Sequence, residues 1–214
     1  MSESFEVHRT GSEIFWGELP PSEHLVQLYE DEAVFLDTLE GFVTGGLRAG
    51  DAVIVIGTKQ HLHDLNARIE LRGQDPEAFQ ASGQLKELIA QEVLERFMVD
   101  GWPDEARFRS VVRELLTRAR AKGRRVRAFG EMVAILWARG DQGATVRLEY
   151  LWHQLCNTDG FSLFCAYPRI GFTGDSTQSI SELCDLHSQV IPGVTRPTPL
   201  PGRQGPFRSS APGV

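Results

Sequence analysis

The sequence predicts a three-layer α/β/α domain in which a mostly parallel sheet of about five strands lies between helices. Three observations point there. Ala52-Val53-Ile54-Val55-Ile56 is an unbroken, largely β-branched apolar run, the pattern of a strand buried on both faces. Apolar runs alternate with amphipathic stretches of helical period from His24 to Tyr167. The runs recur roughly every 30–40 residues, which leaves room for crossover helices between parallel strands.

Each element follows from local signals. His24-Leu25-Val26-Gln27-Leu28-Tyr29 reads as the first strand, closed by Glu30-Asp31-Glu32, an acidic helix start. From Val34 to Leu47 the apolar residues Val34, Phe35, Leu36, Leu39, Phe42, Val43 and Leu47 keep helical spacing until Gly50 stops the run. After the Ala52 strand, a helix runs from about Gln60 to Leu71 and ends at Gly73. Leu85 to Ala90 is a weaker apolar run leading into an amphipathic segment, Gln91 to Met98. Asp100-Gly101-Trp102-Pro103-Asp104 breaks the chain, with Asp104 placed to cap a helix over Glu105 to Ala121. Gly123 ends that helix, and Val126-Arg127-Ala128-Phe129 makes a further strand. Met132 to Ala138 and Ala144 to Leu155 read as helices, Phe161 to Tyr167 as a last strand, and Ser179 to Val190 as a closing helix before Pro192.

The ends differ in composition. Residues 1–23 are polar and broken by Gly17, Pro20 and Pro21, which predicts an arm docked through Phe15 and Trp16. Residues 193–214 are dense in Pro, Gly and Ser and predict a flexible tail. The domain proper is thus expected over residues 24–192.

Bulk chemistry narrows the function. A net charge of −7 argues against general binding to nucleic acid or to an anionic membrane. The dense basic cluster, Lys122, Arg124, Arg125 and Arg127, could dock an acidic partner but reads first as basic residues that complement a helix C-terminus. Three cysteines, Cys156, Cys165 and Cys184, predict free thiols in a reducing, cytoplasmic compartment. The N-terminal stretch has acidic residues and no long apolar run, so no signal peptide is expected.

In open parallel sheets ligands sit at the strand carboxyl ends. Those ends hold Tyr29-Glu30-Asp31, Gly57-Thr58-Lys59, Phe129-Gly130-Glu131 and Cys165-Ala166-Tyr167. A phosphate loop is not expected, because the first strand is followed by carboxylates and the glycine spacing around Lys59 is wrong. Glu131 follows a strand and Gly130, so it could polarise a ligand or simply start a helix. Glu30, Asp31 and Glu32 read mainly as helix-start carboxylates, with Glu30 the candidate exception. His61 and His63, two apart on a helix, point to different faces and read as solvent residues. Cys184 and His187 share a helical face and with Cys165 could hold zinc, or act as a thiol–imidazole nucleophile. Buried cysteines without such a role are commoner, and neither a metal nor a cofactor is expected. Trp102, Trp137 and Trp152, with Phe97, Phe129, Phe164 and Tyr167, could line an apolar pocket, although core packing should claim most of them.

Several segments in order, HLVQLYEDE, ERFMVDGWPDEARF, RRVRAFGEMVAILWARGD, RLEYLWHQL, FSLFCAYP and CDLHSQVIP, resemble the MEDS domain, the methanogen/methylotroph, DcmR sensory domain. The resemblance covers about His24 to Pro192. It implies a RecA/KaiC-like core that has lost the phosphate loop and a role in sensing hydrocarbon derivatives. It also implies signalling through an attached or separate partner such as a kinase or regulator. Carried onto this chain, it points to His24, Tyr29, Glu30, Asp31, Trp102, Phe129, Gly130, Glu131, Trp137, Glu149, Trp152, Cys165 and Tyr167. The expected function is a non-catalytic sensory domain whose ligand lies between Tyr29-Glu30, Glu131 and Tyr167. Two alternatives stand beside it. One is a degenerate RecA-like nucleotide binder or ATPase using Glu131 and Lys59. The other is an interaction scaffold with a vestigial pocket, and homodimerisation fits the first reading and this one.

Overall fold

A computed structural model describes residues 16–169, 186–191 and 193. Strands β1 (His24–Tyr29), β2 (Ala52–Gly57), β3 (Leu85–Ile89), β6 (Val126–Gly130), β7 (Ser162–Pro168) and β8 (Gln189–Ile191) form one sheet. Their order is β3-β2-β6-β7-β1-β8, and each neighbouring pair is parallel. A separate hairpin joins β4 (Met98–Val99) to β5 (Trp102–Pro103) in antiparallel register. Helices α1 (Glu32–Arg48) and α2 (Lys59–Leu71) cover one face, with the short α3 (Pro76–Ala81) beside β3. On the other face lie α4 (Ala90–Glu95), α5 (Glu105–Ala119), α6 (Met132–Ala138) and α7 (Gln142–Asp159). The architecture is therefore the three-layer α/β/α fold predicted. Among the described residues, no helix is long and apolar enough to cross a membrane.

The local signals act as read. Asp31 caps α1 by accepting the Ala33 amide at 2.8 Å, and Asp104 caps α5 by accepting the Arg107 amide at 2.8 Å. Gly50, Gly73 and Gly123 end their helices with φ of 79°, 74° and 69°, a left-handed conformation that glycine enters without steric cost.

Two expectations change. The break at Asp100-Gly101 is the turn of the β4–β5 hairpin, with φ of 49° and 79°, as the positive-φ requirement of a two-residue loop demands. The closing helix expected over Ser179 to Val190 is not helical at its end: Gln189–Ile191 is β8, a sixth strand, paired with Leu25–Gln27. The exposed edge of β1 offers ladder bonds that outcompete a local helix, and the His24 carbonyl accepts the Ser188 amide at 2.8 Å. Residues 186–188 are not helical either, and residues 179–185 of that expected helix, Cys184 included, lie outside the described residues, as do Phe15 and nearly all of the expected tail.

Two apolar clusters hold the layers together. Leu25, Val53, Val55, Phe129 and Phe164 pack with α1 and α2; Val26, Ile54, Ala128, Leu163 and Tyr167 pack with α4 to α7. This is the alternation of successive strand residues between faces. Each fully buried Leu, Ile or Phe side chain contributes about 1.5–3 kcal/mol. Trp16, in a single 3-10 turn, packs against α1. Its ring meets Phe42 edge-on at 5.7 Å, over a groove opened by Gly41 and Gly45 of α1. The basic cluster is largely consumed by the fold. Arg127 is buried and donates to Asp51 at 2.7 Å, Arg125 donates to the same carboxylate at 3.0 Å, and Arg124 reaches the Ser82 carbonyl.

Candidate functional site

Strand order decides where a ligand crevice belongs. From β2 the chain moves outward to β3, whereas from β6 it moves the other way to β7, so the switch point lies between the carboxyl ends of β2 and β6. Glu131 bridges it. Its carboxylate accepts the Thr58 amide at 2.7 Å, at the start of α2, and its own N–H donates to the Ile56 carbonyl at 2.9 Å. The other carboxylate oxygen lies 2.7 Å from His61 Nδ1, and His61 Nε2 lies 3.0 Å from Glu32. Glu131 stands at the N-cap of α6, but its side chain makes no capping hydrogen bond and is turned to Thr58 and His61 instead.

His61 corrects the reading of it as a solvent residue: only 9% exposed, it is clamped between two carboxylates, whereas His63 is exposed. The pattern that could have revealed it is Thr58-Lys59-Gln60-His61. A threonine N-cap after a strand accepts the N3 amide, here at 3.2 Å, which returns the third residue of the helix to the strand ends. Burial favours the neutral ring, but the hydrogen bond and charge of Glu131, and then those of Glu32, outweigh it and raise the His61 pKa. Tyr29 lies on the same sheet face, its ring stacked on Phe35 at 4.7 Å, and Phe35 meets the His61 ring at 5.0 Å. Burial, then the Glu131 and Glu32 charges, push the Tyr29 phenol up. Tyr29, Glu32, Phe35, Thr58, His61 and Glu131 thus form one polar-aromatic site at the strand ends.

The remaining expected residues divide. Glu30 is exposed and pairs with Arg169 at 3.2 Å, and Asp31 is spent as a cap. Phe129 is buried beside Phe35. Gly130 marks no close approach, since a Cβ there would sit 3.6 Å from the Trp152 ring, an ordinary contact. Trp152 and Trp137 are buried in the α4–α7 layer, where Trp152 packs edge-on against Phe108 at 4.9 Å. Trp102 is half exposed and rests over Gly143.

Tyr167 does not face Tyr29 and Glu131. It is fully buried on the opposite side of the sheet, so the single pocket expected between them does not form. Period-two alternation is the reason: Tyr29 faces α1 from the end of β1, whereas His24 at its start and Tyr167 on β7 face α7. There Tyr167 donates to Glu149 Oε1. Around the other oxygen of Glu149 gather His24 Nε2 at 3.4 Å, His187 Nε2 at 3.6 Å and Cys165 Sγ at 3.8 Å. Burial works against ionisation of Glu149, yet His187, His24 and the Tyr167 hydroxyl together hold its carboxyl down at about 2. Burial, then the Glu149 charge, push the Cys165 thiol well up, which argues against a reactive thiolate.

The profile of MEDS, described as the MEthanogen/methylotroph, DcmR Sensory domain, matches residues 23–188, most of the chain. The chain belongs to the MEDS family. No curated protein matches the sequence. The matched span begins next to His24 and ends just past His187, so both polar clusters lie inside the MEDS domain. A MEDS domain is a sensory domain, and that general role is this chain's.

Proposed function

We propose that this MEDS domain is a non-catalytic sensor whose small-molecule ligand binds at the β2/β6 switch point, in place of the Glu131 carboxylate. The observation that carries the reading is the bridge itself. The Thr58 amide and the His61 ring converge on one point, and the protein's own carboxylate fills it. A ligand with a hydrogen-bond-accepting head, such as a carboxylate, and a short apolar body would take these donors and rest its body on Tyr29 and Phe35. That is the chemistry of a simple hydrocarbon derivative. Released from Thr58 and His61, Glu131 would carry the N-terminus of α6 with it. Because a ligand shifts an equilibrium only through differential affinity, exchange of one carboxylate for another supplies the two states. The signal would pass to a partner protein or a second copy through the outer helices.

Several features weigh against nucleotide binding at the same place. Glu32 and Glu131 would repel a triphosphate, and Lys59 is exposed.

The test is thermal unfolding of the wild type and of Glu131→Gln and His61→Gln, each with a panel of short carboxylates, alcohols and halogenated alkanes. At least one compound should raise the wild-type melting temperature, with the response lost in His61→Gln. A panel without effect, or an effect indifferent to both substitutions, would overturn the proposal.

A further inference from the structure

We infer that His24, Glu149, Cys165 and His187 form a four-coordinate site for a borderline divalent cation of the zinc class, on the sheet face opposite the ligand site. The four candidate ligand atoms lie within 4.8 Å of one another. A tetrahedral zinc with ordinary bond lengths places N and O ligands about 3.3 Å apart, and N or O about 3.6 Å from S. Here Glu149 Oε2 is 3.4 Å from His24 Nε2 and 3.6 Å from His187 Nε2. Cys165 Sγ is 3.7 Å from His24 Nε2 and 3.8 Å from Glu149 Oε2. These four of the six spacings lie close to tetrahedron edges, and the two that involve His187 with His24 and Cys165 lie within 4.8 Å, so a small contraction would close the set on an ion.

The surroundings are those of a built site. His24 Nδ1 lies 3.2 Å from the Leu186 carbonyl, so a proton held there leaves the Nε2 lone pair for the metal. The Tyr167 hydroxyl holds the second Glu149 oxygen, fixing the carboxylate for single-oxygen ligation. Glu149 is completely buried in the otherwise largely apolar inner face of α7, and the His24 and His187 rings lie 3.9 Å apart. Two adjacent imidazoles, a carboxylate and a thiol make a costly interior without a cation and an ordinary one with it. Four protein ligands leave no open position, so the site is structural rather than catalytic. Three ligands belong to β1, α7 and β7, whereas His187 belongs to the segment that runs into β8. The ion would clasp that segment to the domain, and Cys165 would give its thiol proton to solvent on binding. The inference does not depend on the ligand proposed for the strand ends.

The experiment strips the full chain with a chelator and titrates it with Co(II), then displaces the cobalt with Zn(II). Expected are one Co(II) per chain, the visible bands of tetrahedral cobalt and a near-ultraviolet thiolate-to-cobalt band. Cys165→Ser should lose the thiolate band. Tyr167→Phe, which keeps all four ligands and the ring packing, should weaken binding by about 10–100-fold. His187→Ala, on the peripheral segment, serves where a core variant fails to fold, and should weaken it further. Circular dichroism of each metal-free variant establishes that it is folded. Folded wild-type protein that binds no Co(II), or a cobalt spectrum unchanged by Cys165→Ser and His187→Ala, would overturn the site.

Discussion

His61 Nδ1 and Glu131 Oε1 stand 2.7 Å apart, joining α2 to the end of β6 across the switch point of the sheet. Because this carboxylate and that of Glu32 raise the His61 pKa, the folded state binds a proton there more tightly than the unfolded chain does. The resulting stability is full below the ordinary histidine value of about 6.5 and is lost as pH rises through the higher folded value. Urea unfolding at a series of pH values should show this decline in the wild type and a smaller one in His61→Gln. An NMR titration of the His61 ring should give a value above the ordinary histidine value of about 6.5. A ring titrating at or below the ordinary value would contradict the clamp.

Arg127 and Asp51 form a buried pair, 2% and 5% exposed at their side chains. Removing one partner of such a pair leaves a charge in the core and costs about 3–5 kcal/mol. Asp51→Ala should destabilise by that order, and Arg127→Met in the same chain should restore much of the loss. Chemical denaturation of both single variants and the double variant gives the coupling. A cost for Asp51→Ala below about 1 kcal/mol would mean that water reaches the guanidinium.

Gly45 of α1 lies directly under Trp16, and an added Cβ would stand 2.5 Å from the Trp16 Cβ. Alanine gains about 0.5–1 kcal/mol over glycine in a helix interior, but overpacking costs about 1–3 kcal/mol. Gly45→Ala should therefore be net destabilising and should shift the tryptophan emission to longer wavelength as the arm lifts. Unchanged emission with a higher melting temperature would show that Trp16 sits elsewhere in solution.

β8 has three residues, and two of them are exposed. In the metal-free protein it should open well below the global unfolding energy. Hydrogen exchange of the Ser188 amide, bonded to His24, should be faster than that of the Ala52 amide, bonded to Arg125 in the sheet interior. Equal protection would make β8 part of the cooperative core.

What the sequence determined by itself was much of what near neighbours along the chain govern, though not the Asp100-Gly101 hairpin turn. The β-branched run Ala52–Ile56, the caps Asp31 and Asp104 and the stop glycines Gly50, Gly73 and Gly123 each carry their reason locally, and together they yield three layers and parallel strands. The family motifs also pointed to His24, Glu149, Cys165 and Tyr167 among other residues, without grouping these four. Tertiary structure alone decided which residues meet. Tyr29 and Tyr167 both end strands, yet opposite pleat phases send them to opposite faces of the sheet. His61 looked solvated because it and His63, two apart on a helix, point to different faces; Glu131 lies 70 positions away and arrives only when β6 pairs beside β2. His187 joins His24 because the edge of β1 captures a strand where helical spacing had suggested a helix. Hydrogen bonds and charges act at about 3 Å regardless of distance along the chain, so strand order, which no local pattern encodes, selected the partners.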